Sequence, residues 1–417
     1  MIATLMPRIG IHDWQHSLSD LKAGVFRPGR RRFRGIEAGC LGNLSQASFI
    51  ICVPIALLRE ESRTSQAHLN AVGTAVPGHD VHAAFIRWAE GRLDEPRPRA
   101  LFGRMAARSG IAHRWSVLPA ADEGGSPVDP GGFYHGDLPT TGARMEVYAK
   151  EAPRLALQAI GRLEAAALTG ITHLIVASCT GFVAPGIDQV IAAELGLGGH
   201  VERTLVGFMG CYAAVSALRL AHHVVRSEPE ARVLVVTVEL SSLHLQYEED
   251  VERLLAALQF GDGATASLVT AEPRGFALSR PFAATLPDST QLIRWKIGDH
   301  GFVMDLSGEV PGRIGEALRD TGVREAMLGN EAPRAFDAWA VHAGGRSVLD
   351  AVEHGLDLPH EALADSREVL ARFGNMSSST LPFVLERMLA DPERRRGIAL
   401  AFGPGLAAEG FHFERAA

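Results

Sequence analysis

From His68 onward, short apolar runs rich in β-branched residues alternate with stretches whose apolar positions recur every three or four residues. THLIVAS (172–178) and RVLVVTVEL (232–240) read as buried strands, whereas Ala214, Ala217, Leu218, Ala221, Val224 and Val225 fall at helical spacing. Such alternation argues for strands and helices in successive layers, the α/β class. The order strand, glycine-containing loop, helix returns in a second part that begins near Pro287. There DAWAVHAGGRSVLDAVEHGL (337–356) passes from a strand through a histidine and two glycines into a helix. VLARFGNMSSSTLPFVLERML (369–389) sets a polar loop before another helix, and two strands flank the Gly-Pro-Gly turn of GIALAFGPGLAAEGFHFE (397–414). Letter identity between the two parts is slight. The expected duplication is therefore one of plan, with a first half over 67–286 and a second over 287–417.

A chain of 417 residues, 47% hydrophobic and 21% charged, can bury a large core. Its net charge of -7 leaves no footprint for general nucleic-acid binding, although a local basic patch for an anionic ligand is compatible with it. The four cysteines, Cys40, Cys52, Cys179 and Cys211, form no C-x-x-C pair and no spacing of a zinc site or disulfide framework. No metal and a reducing, cytoplasmic compartment are expected. The basic stretch RPGRRRFRG (27–35) and the apolar run ASFIICVPIALL (47–58) imitate a signal peptide, but lie too deep in the chain and include Pro54. The apolar run is also too short to span a bilayer, which takes about 20 residues, so no transmembrane segment is expected. Residues 1–66 read as a poorly ordered extension or a start codon placed too far upstream. Further on, Ala143–Leu168 reads as one helix, preceded by a long loop from Asp122 to Thr141.

Three residues stand where chemistry is easily built. Cys211 follows Gly210 at the start of a helix, where unpaired backbone N–H groups and the positive end of the helix dipole stabilise a thiolate. A free cysteine is equally at home as a small buried hydrophobe. His342 ends the strand AWAV before Ala343, Gly344 and Gly345, so its ring can emerge at a strand's carboxyl end. Asn375, in the polar loop FGNMSSS, precedes a helix; Gly-Asn is also a common turn pair.

In order along the chain, GFMGCYAA, FGDGATA, VHAGG, FGNMSS and FGPGL resemble the signature stretches of the chalcone synthase-like type III polyketide synthases, over about residues 68–414. The resemblance implies a thiolase-type fold, five layers αβαβα built from two related halves, and a homodimer. It makes Cys211 the acyl-carrying nucleophile, His342 and Asn375 the decarboxylation pair, and Phe260 a gating residue. The substrates implied are an acyl-CoA starter and malonyl-CoA, with no other cofactor. A thiolate can take an acyl group by thioester exchange, and an imidazole N–H with an amide NH₂ can hold the thioester oxygen as CO₂ leaves and an enolate forms. His342 is also expected to pair with Cys211 and favour the thiolate.

Departures from the plant pattern limit what carries over. Cys179 replaces a cavity threonine, as in bacterial members, so a bacterial-type enzyme is expected. Ala184 replaces a methionine that reaches into the partner's pocket, and Trp295 falls near a cavity glycine. Ser241, His244 and Ser377 align with further cavity positions, and Arg108 and Arg114 with a basic segment near the mouth of the coenzyme A tunnel. A papain-like cysteine peptidase shares the order Cys, His, Asn but not the surrounding residues. A ketoacyl synthase III and a non-catalytic acyl-binding member of the fold are the nearer alternatives. The products expected are alkylpyrones or alkylresorcinols, with a malonyl-primed tetrahydroxynaphthalene as second choice.

Overall fold

The computed structural model describes residues 65–121 and 125–417; the expectations for residues 1–64 lie outside the described residues. The strands are β1 (His68–Ala75), β2 (His79–Asp80), β3 (Trp115–Ser116), β4 (His173–Ser178), β5 (Glu202–Gly207), β6 (Val233–Leu240), β7 (Asp262–Thr270), β8 (Phe276–Thr285), β9 (Ile293–Gly298), β10 (Gly301–Leu306), β11 (Ala338–Val341), β12 (Arg396–Gly403) and β13 (Ala407–Arg415). The helices are α1 (His82–Gly91), α2 (Pro96–Ala107), α3 (Thr141–Ile160), α4 (Ile187–Glu194), α5 (Ala213–Ser227), α6 (Val251–Ala257), α7 (Val310–Ala317), α8 (Thr321–Leu328), α9 (Arg346–Leu356), α10 (Ala364–Phe373) and α11 (Thr380–Ala390). The helix expected over 143–168 stops at Ile160, where Gly161 forms the cap, and a separate 3₁₀ turn covers Ala165–Leu168.

Nine strands form one sheet in the order β11-β12-β13-β8-β1-β7-β6-β4-β5. The duplication is visible in its pairing. In the first half β4 runs parallel to β6, and β6, β7 and β1 then follow antiparallel. In the second half β11 runs parallel to β12, and β12 and β13 follow antiparallel, with β8, which ends just before the boundary expected at 287, completing the same set. The halves meet where β1 pairs with β8 at its first two residues.

Alternation along each strand builds the layers, because successive side chains point to opposite faces. Ile175, Ala177, Val233 and Val235 face a core that also holds Ala338, Ala340, Ala399 and Ala401 from the second half. Helices α5 and α11 fill this shared middle layer, which explains why Ala214, Ala217, Leu218 and Ala221 are wholly buried. The opposite faces, Leu174, Val176, Leu234 and Val236 on one side and Trp339, Val341, Ile398 and Leu400 on the other, pack under α3 and α4 and under α7, α9 and α10. The result is the expected αβαβα sandwich, with β4, β6, β11 and β12 buried on both faces and therefore largely apolar, while the outer strand β5 is exposed. Both central helices begin at the same level of the sandwich, so the loops that lead into them share one end of the fold.

Candidate active site

Strand β5 ends at Gly207, and a turn through Phe208 and Gly210 leads into a short 3₁₀ turn, Gly210–Tyr212, that continues as α5. Gly210 has φ +74, and a Cβ there would come within 2.5 Å of Pro404 Cδ. Gly403 is equally constrained, since its Cβ would lie 2.7 Å from Tyr212 Cδ1. The turn FGPGL is thus pressed against the turn that carries Cys211, which accounts for glycines on both sides.

Cys179, just past the end of β4, lies beneath this turn: its Sγ accepts the Gly210 N–H at 3.0 Å. Expected to line the cavity, Cys179 is buried here and supports the backbone of the turn that carries Cys211. Ser377 likewise lies beside the thiol of Cys211 rather than along the cavity, in a left-handed conformation at φ +48.

His342 follows β11 as expected and is 1% exposed, with neither ring nitrogen hydrogen-bonded. The expected hydrogen bond from His342 to Cys211 is therefore not formed. Desolvation lowers the His342 pKa to about 3, so its ring is neutral and carries one N–H. Burial likewise pushes Cys211 up to about 12, outweighing the help of Ser377 and Asn375, and the nearby Glu239 carboxylate adds to the rise. The resting site thus holds a neutral thiol and a neutral imidazole, not the thiolate expected from the helix start.

Asn375 is fixed on both sides of its amide. Its Oδ1 accepts the Ser377 N–H at 2.8 Å, and its Nδ2 donates to Gly344 O at 3.2 Å, two residues beyond His342. One N–H of the NH₂ group remains for the thiol or a substrate oxygen. The Asn375 backbone pairs with the Phe260 segment, donating to Gln259 O at 2.8 Å and accepting from Gly261 N–H at 3.0 Å. Phe260 in turn lines a cavity of about 120 Å³, so the gating position links that cavity to the catalytic loop.

Ser241, His244 and Trp295 also line the cavity. His244 donates through Nε2 to Thr180 O at 2.7 Å and accepts the Phe302 N–H on Nδ1 at 3.0 Å, which fixes its tautomer. Burial lowers its pKa to about 4, and Phe302 stacks on it with ring centroids 4.3 Å apart. It is a neutral wall, not a base.

The two arginines part company. Arg108 is exposed at the end of α2, and its backbone carbonyl accepts from the Arg346 guanidinium at 3.1 Å. Arg114, expected near a tunnel mouth, is 3% exposed and donates to Phe260 O at 2.8 Å, Ala257 O at 3.1 Å and His82 Nδ1 at 3.0 Å. Its side chain ties α1 and α6 to the Phe260 segment instead of presenting a fork to solvent.

Residues 57–273 match the family model of chalcone and stilbene synthases, N-terminal domain, and residues 278–415 that of the C-terminal domain. The chain belongs to the chalcone and stilbene synthase family. Among members, it is similar to the alpha-pyrone synthesis polyketide synthase-like Pks18 of Mycobacterium tuberculosis, 32% identical over 87% of this chain and 94% of that protein. It is also similar to type III polyketide synthase C of Arabidopsis thaliana, 32% identical over 66% of this chain and 76% of that protein. Its structure resembles PKS-I of the brown alga Ectocarpus siliculosus, with TM-score 0.75 and 26% identity over 85% of this chain and 99% of that one. Membership makes it an acyl-condensing transferase of the type III polyketide synthase kind, and bacterial, plant and algal relatives together favour no one subtype.

The chalcone and stilbene synthase fold also brings in a residue that the sequence reading passed over. Glu239, wholly buried, accepts the Cys179 N–H at 3.0 Å, the Thr180 hydroxyl at 2.9 Å and the Ser378 hydroxyl at 2.5 Å. Desolvation raises it to about 7. A lone acid inside the valine run of β6 was the available signal, because a buried carboxylate is costly without donors around it.

Proposed function

We propose that this protein loads an acyl-CoA starter on Cys211, extends it with malonyl-CoA by decarboxylative condensation, and cyclises the poly-β-keto chain to a pyrone or phenolic ring. The observation that carries the reading is the grouping of Cys211 with the Asn375 amide, which also reaches Gly344 O two residues beyond neutral His342, while the Asn375 backbone pairs with Phe260, a residue of the cavity wall. Neutral donors in a buried site suit an enolate oxygen, since their dipoles act there without competing water. Exposed Arg108, with Arg346 beside it, is the proposed phosphate contact for coenzyme A, because a guanidinium fork fits phosphate oxygens.

The starter we favour has an aliphatic chain and the product is alkylpyrone- or alkylresorcinol-type, in a bacterial-type enzyme. Support comes from the largely apolar cavity wall, with Phe85, Leu118, Val128 and Leu254 beside the small Ser241, and from the relative whose name refers to alpha-pyrone synthesis. Each methylene buried in a matched cavity adds about 0.8 kcal/mol, so kcat/KM rises with chain length and falls where the cavity ends. Steady-state kinetics and product mass spectrometry with C4 to C16 acyl-CoA check this. A flat response with efficient turnover of malonyl-CoA alone supports the malonyl-primed tetrahydroxynaphthalene synthase instead.

A homodimer and a cytoplasmic location belong to the same proposal. Strand β5 is the outer strand at its end of the sheet, and Leu205 on it is 49% exposed beside exposed Phe182 and Phe208. Unpaired edge groups with apolar side chains are what a second copy covers. Leu205→Asp is expected to turn dimers into monomers in sedimentation equilibrium; an unchanged dimer removes β5 from the interface. For the location, Cys179 and Cys211 are both free thiols, and among the described residues no helix is long and apolar enough to cross a membrane.

A further inference from the structure

Resting on the reading that Cys211 takes an acyl group from a pantetheine thioester, we propose that the exposed face of α2 docks an acidic acyl carrier protein, which delivers a starter on its own phosphopantetheine arm. From Pro96 to Ala121 the chain carries five arginines and no aspartate or glutamate, within a protein of net charge -7. Arg114 is buried and Arg99 turns back onto Leu93 O at 2.9 Å, which leaves Arg97, Arg104 and Arg108 facing solvent. Arg97, Leu101, Arg104, Met105 and Arg108 follow one another at helical spacing and share one face of α2. Leu101 is 42% exposed and Met105 48%. Neighbouring arginines are paired, Arg92 with Glu249 and Arg346 with Asp350, but among the described residues no carboxylate pairs with Arg97, Arg104 or Arg108. The nearest exposed acids in sequence, Asp94 and Glu95, precede the helix. On its other side α2 is anchored through Phe102 and Ala106, which pack against Phe85, Ala89, Leu254 and Leu258, so the outer face is presented on a fixed element.

The end of α2 adjoins both catalytic loops. Arg346, which donates to Arg108 O, begins α9 four residues after His342. The Ala112 and His113 N–H groups donate to Ala371 O at 2.8 and 3.2 Å, on α10, which ends two residues before Asn375. A partner seated on α2 therefore stands next to the segments that carry the reaction. Two half-exposed apolar side chains are too few to hold a helix in a membrane interface, which takes an apolar face along its length. Arginine and methionine together suit a protein interface, and unpaired positive charge selects an acidic partner. The step itself is thioester exchange. Cys211 Sγ bonds to the acyl carbon, the bond from that carbon to the pantetheine sulfur breaks, and the thiol proton ends on the departing sulfur, with no change of oxidation state.

The test compares two donors of the same chains, C4 and C12, one set as coenzyme A thioesters and the other on an acidic carrier protein of bacterial fatty-acid synthesis. Loading of Cys211 is followed by intact-protein mass spectrometry in the parent, in Leu101→Asp, in Met105→Glu and in the double variant Arg97→Glu/Arg104→Glu. Arg108 is left unaltered because it is the proposed coenzyme A contact. The parent is expected to load from both donors, and the double variant to load from the carrier about tenfold more slowly or worse while keeping the parental rate with coenzyme A thioesters. Carrier loading in the parent should also fall as ionic strength rises from about 0.05 to 0.5 M, where charge attraction is screened. An equal loss with both donors overturns the docking assignment. So does a parent that loads from coenzyme A thioesters but never from the carrier, and then only this inference falls. Loss of binding to phosphatidylglycerol vesicles in the variants would assign the face to a membrane, and a changed oligomeric state in sedimentation would assign it to a second copy; either overturns the proposal. If neither donor loads Cys211, the acyl-loading reading fails and the inference falls with it.

Discussion

Replacing Cys211 with alanine is expected to abolish covalent loading and product formation, while Cys179→Ala still loads. The two sulfurs are close neighbours in the fold but differ in what they are held by. Cys179 is enclosed on its backbone side by Glu239 and on its sulfur side by the Gly210 N–H, and both burial and the Glu239 charge push its pKa well above the thiol range. An attacking group also needs access, and Cys211 retains partial exposure where Cys179 is 4% exposed. Losing the Cys179 bond to Gly210 removes one neutral hydrogen bond, worth about 1 kcal/mol, so loading in Cys179→Ala slows by no more than about tenfold. Intact-mass analysis after brief exposure to an acyl-CoA separates the outcomes. Loading lost in Cys179→Ala and kept in Cys211→Ala would reverse the roles.

The second large effect concerns carbon dioxide release. His342→Ala or Asn375→Ala is expected to cut malonyl-CoA decarboxylation by about a hundredfold or more, the usual cost of removing one donor from an oxyanion site. The double variant should lose little beyond the more damaged single one, because both donors serve one oxygen and their contributions do not add. Asn375 brings a further consequence, since its Nδ2 bond to Gly344 O and its backbone pairing with Phe260 hold three segments together. Asn375→Asp retains the Oδ1 that accepts from Ser377 but places a carboxylate where an enolate oxygen must form. It also loses the Nδ2 bond to Gly344 O, so it should be less stable than the parent and decarboxylate worse than the alanine variant. Release of CO₂ at the parental rate from Asn375→Ala would remove that residue from the mechanism.

The neutral state of the site shapes both expectations. With Cys211 raised to about 12 and His342 lowered to about 3, the proposed loading step requires the thiol proton to leave as the acyl group arrives. In the later step the neutral His342 ring offers its N–H to the enolate. Because the two nitrogens make no hydrogen bonds in the protein, the ring's orientation rests on packing against Gly344 and the end of β11.

Much of this was readable from the chain because local chemistry and global architecture agree. The apolar runs THLIVAS, RVLVVTVEL, AWAV and GIALAF read as strands covered on both faces, and a glycine before Cys211 and two after His342 announce turns at strand ends, where such folds present side chains. Taken singly Cys211, His342 and Asn375 each have an ordinary structural reading, and it was their order along the chain with FGDGATA and FGPGL that pointed to the family. What the linear pattern could not carry is the surroundings that pairing and packing create. Whether an arginine is a surface fork or a buried clamp depends on which carbonyls the fold brings to it, and α1, α6 and the Phe260 segment, far apart in sequence, converge on Arg114. Glu239 became part of the site only when β4 paired with β6 and the loop before α11 closed over it. The protonation of Cys211 depends on the fold in the same way: a helix start favours a thiolate locally, but desolvation opposes it, and burial is a property of the fold rather than of any stretch of sequence.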